Sequence, residues 1–364
     1  MDWHSIHVYY YAQDKDALIL EGVRPLFHAL AGRADAAYYT RHWRQGPHLR
    51  LNFRTTAGNF ADVVRPAADE IIGGFLTRRP STRHLDPLRE LPAHRRLAEL
   101  ELEEGALLPW HPDNSIVTVA HDARSAVVGG QETADLVADF QVAATGLAFK
   151  MTEELITPRQ RLAGAFDLMI ATAQAMSRRG ITDAFVSFRS HAEGFLCGFP
   201  EGAGLRPSWD RHYGAHRMSL ARRLGAVVAA ARDGNTDVPF VQEWIAALEP
   251  SRDRAQSLAS AGVLSLPIGP AKPDALRELA AVSPFHRALL ANPAWEQTQR
   301  SPGFLQFRLL VNLTYLMLTR LGITPVERCL LGHLAANAVE DAYGISAIDL
   351  VRAPSASEQI AGTR

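Results

Sequence analysis

One stretch near the C-terminal end limits what this chain can fold into. Gly303–Gly322 reads GFLQFRLLVNLTYLMLTRLG, and Leu, Phe, Met and Val fill most of it. No proline interrupts it, Pro302 stands just before it, and Gly322 supplies a stop. This pattern predicts a buried α-helix of about five turns. Its polar residues are ordered. Arg308, Asn312, Tyr315 and Thr319 recur at i, i+4, i+7 and i+11, which places them on one stripe. Buried guanidinium, amide, phenol and hydroxyl groups need partners. A hydrogen-bonded seam against another helix would satisfy them, and so would a cavity holding a polar ligand; the spacing leaves both open. A membrane span is not expected, because the run between Arg308 and Thr319 is short and already contains Asn312 and Thr314.

Of the 364 residues, 47% are hydrophobic and 21% charged, enough apolar material for a sizeable globular core. Lys and Arg total 38 against 39 Asp and Glu, so no global charge recruits nucleic acid or an anionic membrane. Two cysteines, Cys197 and Cys329, cannot form a disulfide framework and fall in no CxxC. A reducing cytoplasm is the expected compartment. The opening MDWHSIHVYYYAQD lacks the basic-then-apolar layout of a signal peptide.

Read in order, residues 3–12 form an aromatic, β-branched strand, and a helix runs from Asp14/Asp16 to about Leu30. Strands at Ala37–Trp43 and His48–Arg54 follow, joined by a turn at Gln45-Gly46-Pro47. In the second, His48, Arg50, Asn52 and Arg54 alternate with Leu49, Leu51 and Phe53. The polar side is either a solvated outer face or a cationic wall able to grip carbonyls or a carboxylate. A helix over 57–76, strands near Glu99–Glu104 and Ile116–Ala120, and a helix from Glu132 to Ala144 complete the first half. The fold class expected is α+β: a ferredoxin-like antiparallel sheet over 1–150 and a mainly helical half over 151–350, together one unit over 1–364.

The second half reads as helices at 161–178, 215–232 and 238–248, a Pro-, Ser- and Gly-rich loop or short lid at 249–275, and polar, frayed last residues. Between the first two lies FVSFRSHAEGFLCGFP, residues 185–200, where His191 and Glu193 either anchor a loop or face a cavity. Ser283-Pro284 opens a helix, so Ser283 can be a plain N-cap. Thr324-Pro325 with Glu327 reads as a capping box.

Familiar catalytic signatures are missing: no P-loop, GxGxxG, HExxH or GxSxG occurs, and the histidines show no metal-ligand spacing. No metal and no cofactor is expected, and Cys329 reads as core. A polar-lined cavity that works by positioning, hydrogen bonding and proton transfer is what the residues leave.

Four segments in order, WHSIHVYYYA, PHLRLNFR, SFRSHAEGFL and TYLMLTRLG…ER, resemble the stand-alone C-terminal domain of lantibiotic dehydratases, the thiopeptide-type bacteriocin biosynthesis domain. The resemblance covers nearly the whole chain. It implies one of two chemistries. One branch eliminates glutamate from glutamylated Ser or Thr. The other, the thiopeptide pyridine synthases, joins two dehydroalanines in a formal [4+2] aza-cycloaddition, with loss of water and leader peptide, to form a pyridine-centred macrocycle. The elimination branch carries H-M-x-x-N-R-L-G on the last long helix; here the histidine position holds Tyr315. Its R-Y-G-G turn reads Val127-Val128-Gly129-Gly130 here. His48 and Arg50 remain from its H-L-R-L strand. Tyr315, with Ser283 upstream, resembles the pyridine synthases.

The resemblance thus implies Tyr315 and Ser283 as catalytic residues. Tyr315 polarises the amide that becomes the iminol, or protonates the departing hydroxyl, and Ser283 holds the same region. His48 and Arg50 bind peptide carbonyls, Arg308 and Asn312 orient Tyr315, and His191 and Glu193 complete the substrate-binding set. The implied partner is an azole- and dehydroalanine-bearing precursor peptide with its leader, with no nucleic acid and no membrane, and a homodimer is compatible. The alternatives are a glutamate-eliminating lyase and a non-catalytic precursor-binding protein.

Overall fold

A computed structural model describes residues 1–264 and 275–352. The chain divides into two compact units. One holds Met1–Val127, Ala134–Ile156 and Thr319–Gly322; the other holds Val128–Thr133, Thr157–Leu318 and the described residues from Ile323 on.

The first unit is built on a four-stranded antiparallel sheet of β1 (Asp2–Tyr9), β2 (Ala36–His42), β3 (His48–Thr55) and β4 (Ser115–Ala120), in the order β2-β3-β1-β4. That is the expected ferredoxin-like arrangement. β1 lies between β3 and β4, with Ile6 opposite Leu51 on one side and Thr118 on the other. The β2–β3 turn is made at Gln45 and Gly46, both with positive φ. Helical stretches 16–29 and 57–78, each with a π turn, follow β1 and β3. Gly22 brings them close: a Cβ there would stand 3.2 Å from Ile72 Cδ1.

Two expectations change in this unit. The polar side of β3 is not a solvated face, since His48, Arg50 and Asn52 are as buried as the leucines between them. Residues 99–104 form no strand. Asp86 caps a helix over Pro87–Glu101, which ends where Leu102 turns left-handed. The alternation of Leu and Glu there is the tail of a helix whose start signal, Asp-Pro, lies fifteen residues back.

The second unit is helical. Its long helices are Pro158–Met176, Ile181–Gly198, Arg206–Asp233, Val241–Ser260, Pro302–Arg320 and Pro325–Tyr343, and residues of the first, second, fourth and last touch the central Pro302–Arg320. Pro325–Tyr343 begins with both hydrogen bonds of the predicted capping box. Gly332 lets it approach Ile181–Gly198, because a Cβ there would meet the Phe188 carbonyl oxygen at 3.1 Å. The loop expected over 249–275 is a helix as far as Ser260. Pro250, on an exposed side, does not end it. Residues 265–274 lie outside the described residues, as do the last residues expected to fray.

The central helix has the extent the sequence predicts, and Gly322 at φ +83° follows it. Its buried seam is made by Thr314, whose Oγ1 lies 3.0 Å from that of Thr172, which also accepts from Trp244 Nε1 at 2.9 Å. The Arg308–Thr319 stripe faces the other way and is the more open side: Asn312 is exposed, and Arg308 and Thr319 are half-buried. Arg320 belongs to the sheet unit. It lies over the Tyr39 ring and donates to the Gln141 carbonyl and side chain and to Thr145 Oγ1.

Candidate active site

Tyr315 is the one buried residue of the polar stripe, at 9% exposure. Its Oη lies 2.6 Å from His191 Nδ1 on the Ile181–Gly198 helix. The Arg328 guanidinium sits over its ring, 4.6 Å from the centroid. Both partners of the hydrogen bond are neutral at physiological pH. Burial pushes the phenol above its ordinary value, with Arg328 pulling the other way. Burial, then the charges of Arg328 and Arg308, hold the His191 imidazole at about 3. His191 is nevertheless exposed to solvent. The pair is therefore within reach of a molecule that docks on this side of the Ile181–Gly198 helix.

A neutral phenol–imidazole pair has two arrangements. If the phenol donates to Nδ1, its oxygen is left as an acceptor. If Nδ1–H donates to the phenol oxygen, the phenol directs its own proton away from the imidazole. The second makes Tyr315 a hydrogen-bond donor to a group other than His191.

Ser283 is fully buried. It caps Pro284–Ala291 as expected, accepting from the His286 backbone N–H at 3.4 Å, and its Oγ is 2.8 Å from His286 Nδ1. His286 Nε2 in turn lies 3.1 Å from Ser190 Oγ. Glu193 takes a two-pronged ion pair from Arg206, at 3.0 and 2.7 Å. Arg189 stands 3.8 Å away and binds Asn337 and Glu340. Glu193 therefore ties three helices together: its own, that of Arg206 and, through Arg189, Pro325–Tyr343.

His48 and Arg50 belong to the sheet unit. His48 Nδ1 is 2.8 Å from the Gly46 carbonyl oxygen, its ring stacks on His7, and its Nε2 accepts from Arg50 Nε at 3.4 Å. Arg50 Nη2 reaches Glu103 Oε1 at 3.3 Å. The Glu103 side chain, 1% exposed, is also paired with Arg44 at 3.3 Å, Arg124 at 3.5 Å and His42 at 3.5 Å. Burial raises its carboxyl, but His42, Arg124 and Arg50 outweigh that and hold it at about 2. Burial also keeps His42 neutral, at about 4, and His7 at about 3.

The structure therefore brings Tyr315 and His191 together, with Arg308 close enough to bias the imidazole. It joins His48 to Arg50 in a separate cluster. His191 and Arg328 also help to fix the phenol, the one through its oxygen and the other over its ring. Glu103, His286 and Arg328 were not foreseen. Glu103 stood in a misread strand, and His286 was hidden as the N3 residue behind a cap. Arg328 follows Glu327 on a different helix from Tyr315. A surface hollow of about 300 Å³ at Pro284, Arg287, Ala288 and Arg352 holds none of the expected site residues. Among the described residues no group of His, Cys, Asp and Glu could hold a metal ion, and no helix is long and apolar enough to cross a membrane.

The family described as "Lantibiotic biosynthesis dehydratase C-term" matches residues 3–339. Among solved structures, the pyridine synthase TbtD from thiomuracin biosynthesis is similar over 95% of this chain and 100% of its own, at 38% identity and a TM-score of 0.78. TsrL, at 24% identity, shares the fold over 98% of this chain and 99% of its own, with a TM-score of 0.72. No curated protein matches the chain.

Proposed function

The chain belongs to the lantibiotic dehydratase C-terminal family, and from that premise we propose that it is a thiopeptide pyridine synthase. Its substrate is a precursor peptide bearing two dehydroalanines and azoles behind a leader. One backbone amide shifts its N–H proton to oxygen, giving an iminol. The resulting 2-aza-diene adds across the second dehydroalanine and closes a six-membered ring that carries a hydroxyl. Loss of that hydroxyl as water, and of the leader peptide, leaves a pyridine in a macrocycle. Atoms balance without an external oxidant or reductant, so the reaction calls for no cofactor.

The observation that carries this proposal is the neutral Tyr315–His191 pair, in a chain 38% identical to a pyridine synthase. Each proton step needs a donor at an oxygen atom, first the amide and then the departing hydroxyl. A phenol can donate at neutral pH without carrying charge. His191 orients the donor, and the Arg328 and Arg308 charges keep the imidazole from taking a proton for itself. Much of the remaining acceleration comes from holding two distant residues of a flexible peptide in contact, within the ~7–11 kcal/mol available to well-oriented reactions.

Glutamate elimination fits less well. Tyr315 replaces the histidine of that branch, and the arginine retained from its motif, Arg50, already holds an internal carboxylate. The test is to incubate the purified protein with a linear precursor carrying dehydroalanines and azoles, and in parallel with a glutamylated one, and to follow product masses. A cyclised core with a released leader is expected from the first and no change from the second. Glutamate loss from the second, or binding without any mass change, would overturn the proposal.

A further inference from the structure

The resemblance gives Ser283 a place near the peptide, and Ser283 is fully buried in the structure. What it touches is His286, and what His286 touches is Ser190. We infer that Ser190 presents a second hydroxyl to the peptide, in addition to that of Tyr315, and that His286 and Ser283 are positioning residues that fix which way its proton points. This inference rests on the pyridine synthase proposal for its substrate but not for its geometry.

The direction follows from counting donors. Ser283 Oγ accepts the backbone N–H of His286 as the helix cap, and, being fully buried, it must place its own proton on a protein acceptor, for which His286 Nδ1 stands 2.8 Å away. Nδ1 is then an acceptor. Burial keeps the ring neutral, holding it at about 4. A neutral ring with Nδ1 as acceptor carries its proton on Nε2, and Nε2 faces Ser190 Oγ at 3.1 Å. Ser190 accepts there and has its own proton left to give.

Two features separate Ser190 from an ordinary helical hydroxyl. Thr145, Thr152, Thr172 and Thr314 all donate to the carbonyl four residues back, the usual local solution. Ser190 crosses to a different helix instead. It is also half-buried rather than enclosed, and adjoins His191, which is exposed and bonded to Tyr315. His286 is near enough for its charge state to be felt at His191. A second hydroxyl one residue from His191 suits an amide that must be pulled toward its iminol and then a hydroxyl that must leave.

The experiment has two arms on the full chain. Nitrogen-resolved NMR of the histidine side chains at pH 7, with His286→Gln to assign the signal, reports the tautomer. The expected result is a neutral His286 protonated on Nε2, shifting toward a mixture in Ser283→Ala. Cyclisation of the linear dehydroalanine peptide is then compared for wild type, Ser190→Ala and Ser190→Thr. Ser190→Ala should lower kcat by about 10²-fold, the scale of one lost oxyanion-type donor, with KM little changed and partial rescue in Ser190→Thr. A His286 protonated on Nδ1, or a Ser190→Ala enzyme within twofold of wild type, would overturn the inference. A wild-type protein that cyclises nothing sinks the pyridine synthase proposal, and the tautomer alone then decides the relay.

Discussion

The carboxylate of Glu103 and the phenol of Tyr315 are both removed from water, and their surroundings follow opposite rules. Around Glu103 the chain collects three guanidinium groups and a histidine on one charge, each within 3.5 Å. The acid and the bases of that cluster are all supplied by the protein, although Glu103 Oε2 and His42 Nε2 sit at ion-pair distance without a hydrogen bond. Around Tyr315 the charges that act on the pair are those of Arg328 and Arg308, and the hydrogen bond joins two neutral groups. The first arrangement resists change, because removing one member strands a buried charge. The second is poised, because a neutral donor and acceptor can exchange a proton with a third group without moving charge out of water. Buried polar residues that look alike in a sequence thus divide into charge clusters and neutral hydrogen-bonded pairs.

The contrast breaks most readily at Glu103. Glu103→Gln leaves Arg44, Arg50 and Arg124 without their counter-ion and should cost about 3 kcal/mol or more in urea unfolding. Wild-type stability would show that the cluster does not depend on its acid. Acid comes next. His7 and His42 in the sheet unit, and His191 and His286 in the helical one, all have folded values of about 3 or 4 against an ordinary 6.5. Below 6.5 the unfolded chain takes up protons that the folded one refuses. Stability is therefore present above pH 6.5 and falls as pH drops toward 4, by roughly 1.4 kcal/mol per histidine per unit. Between pH 7.5 and 5.5 the three enclosed ones, His7, His42 and His286, should together remove about 4 kcal/mol, with the exposed His191 adding little, and a flat thermal midpoint across that range would contradict it. Glu103 enters later: its depressed value adds stability above its unfolded value near 4.5, which is lost as pH falls toward 2.

Smaller effects sharpen the same comparison. Arg50→Ala leaves Arg44, Arg124 and His42 on Glu103, so its cost should be about 1–2 kcal/mol of stability, with peptide affinity little altered. Unchanged stability with lost peptide binding would place Arg50 in the peptide's path. Arg328→Gln removes the cation over the Tyr315 ring, an interaction worth about 1 kcal/mol. It should shift the melting point slightly and raise the value of His191, seen in an NMR titration of that ring.

The framework of the fold is legible in the residues. Alternation and the Gln45-Gly46-Pro47 turn locate β2 and β3, and the caps at Ser283 and Thr324 locate two helix starts. The stripe on the central helix is also legible, but its meaning is not. A period of 3.6 says that Arg308, Asn312 and Tyr315 share a face; it does not say that Thr314, on the other side, makes the buried seam. His191 opposite Tyr315, and Ser190 opposite His286, come from elements far apart in sequence, and no local pattern encodes such a pairing. Glu103 was missed for a different reason. A period-two run at the end of a helix imitates a strand when the start signal lies outside the window.

The most direct test is to make Tyr315→Phe and measure, on the same linear dehydroalanine peptide, its binding affinity and its single-turnover rate of macrocycle formation. The phenol's proton does the chemistry in this account, so affinity and melting temperature should stay close to wild type while the rate falls by at least about 10²-fold. A Tyr315→Phe protein that binds and cyclises at the wild-type rate would contradict it outright.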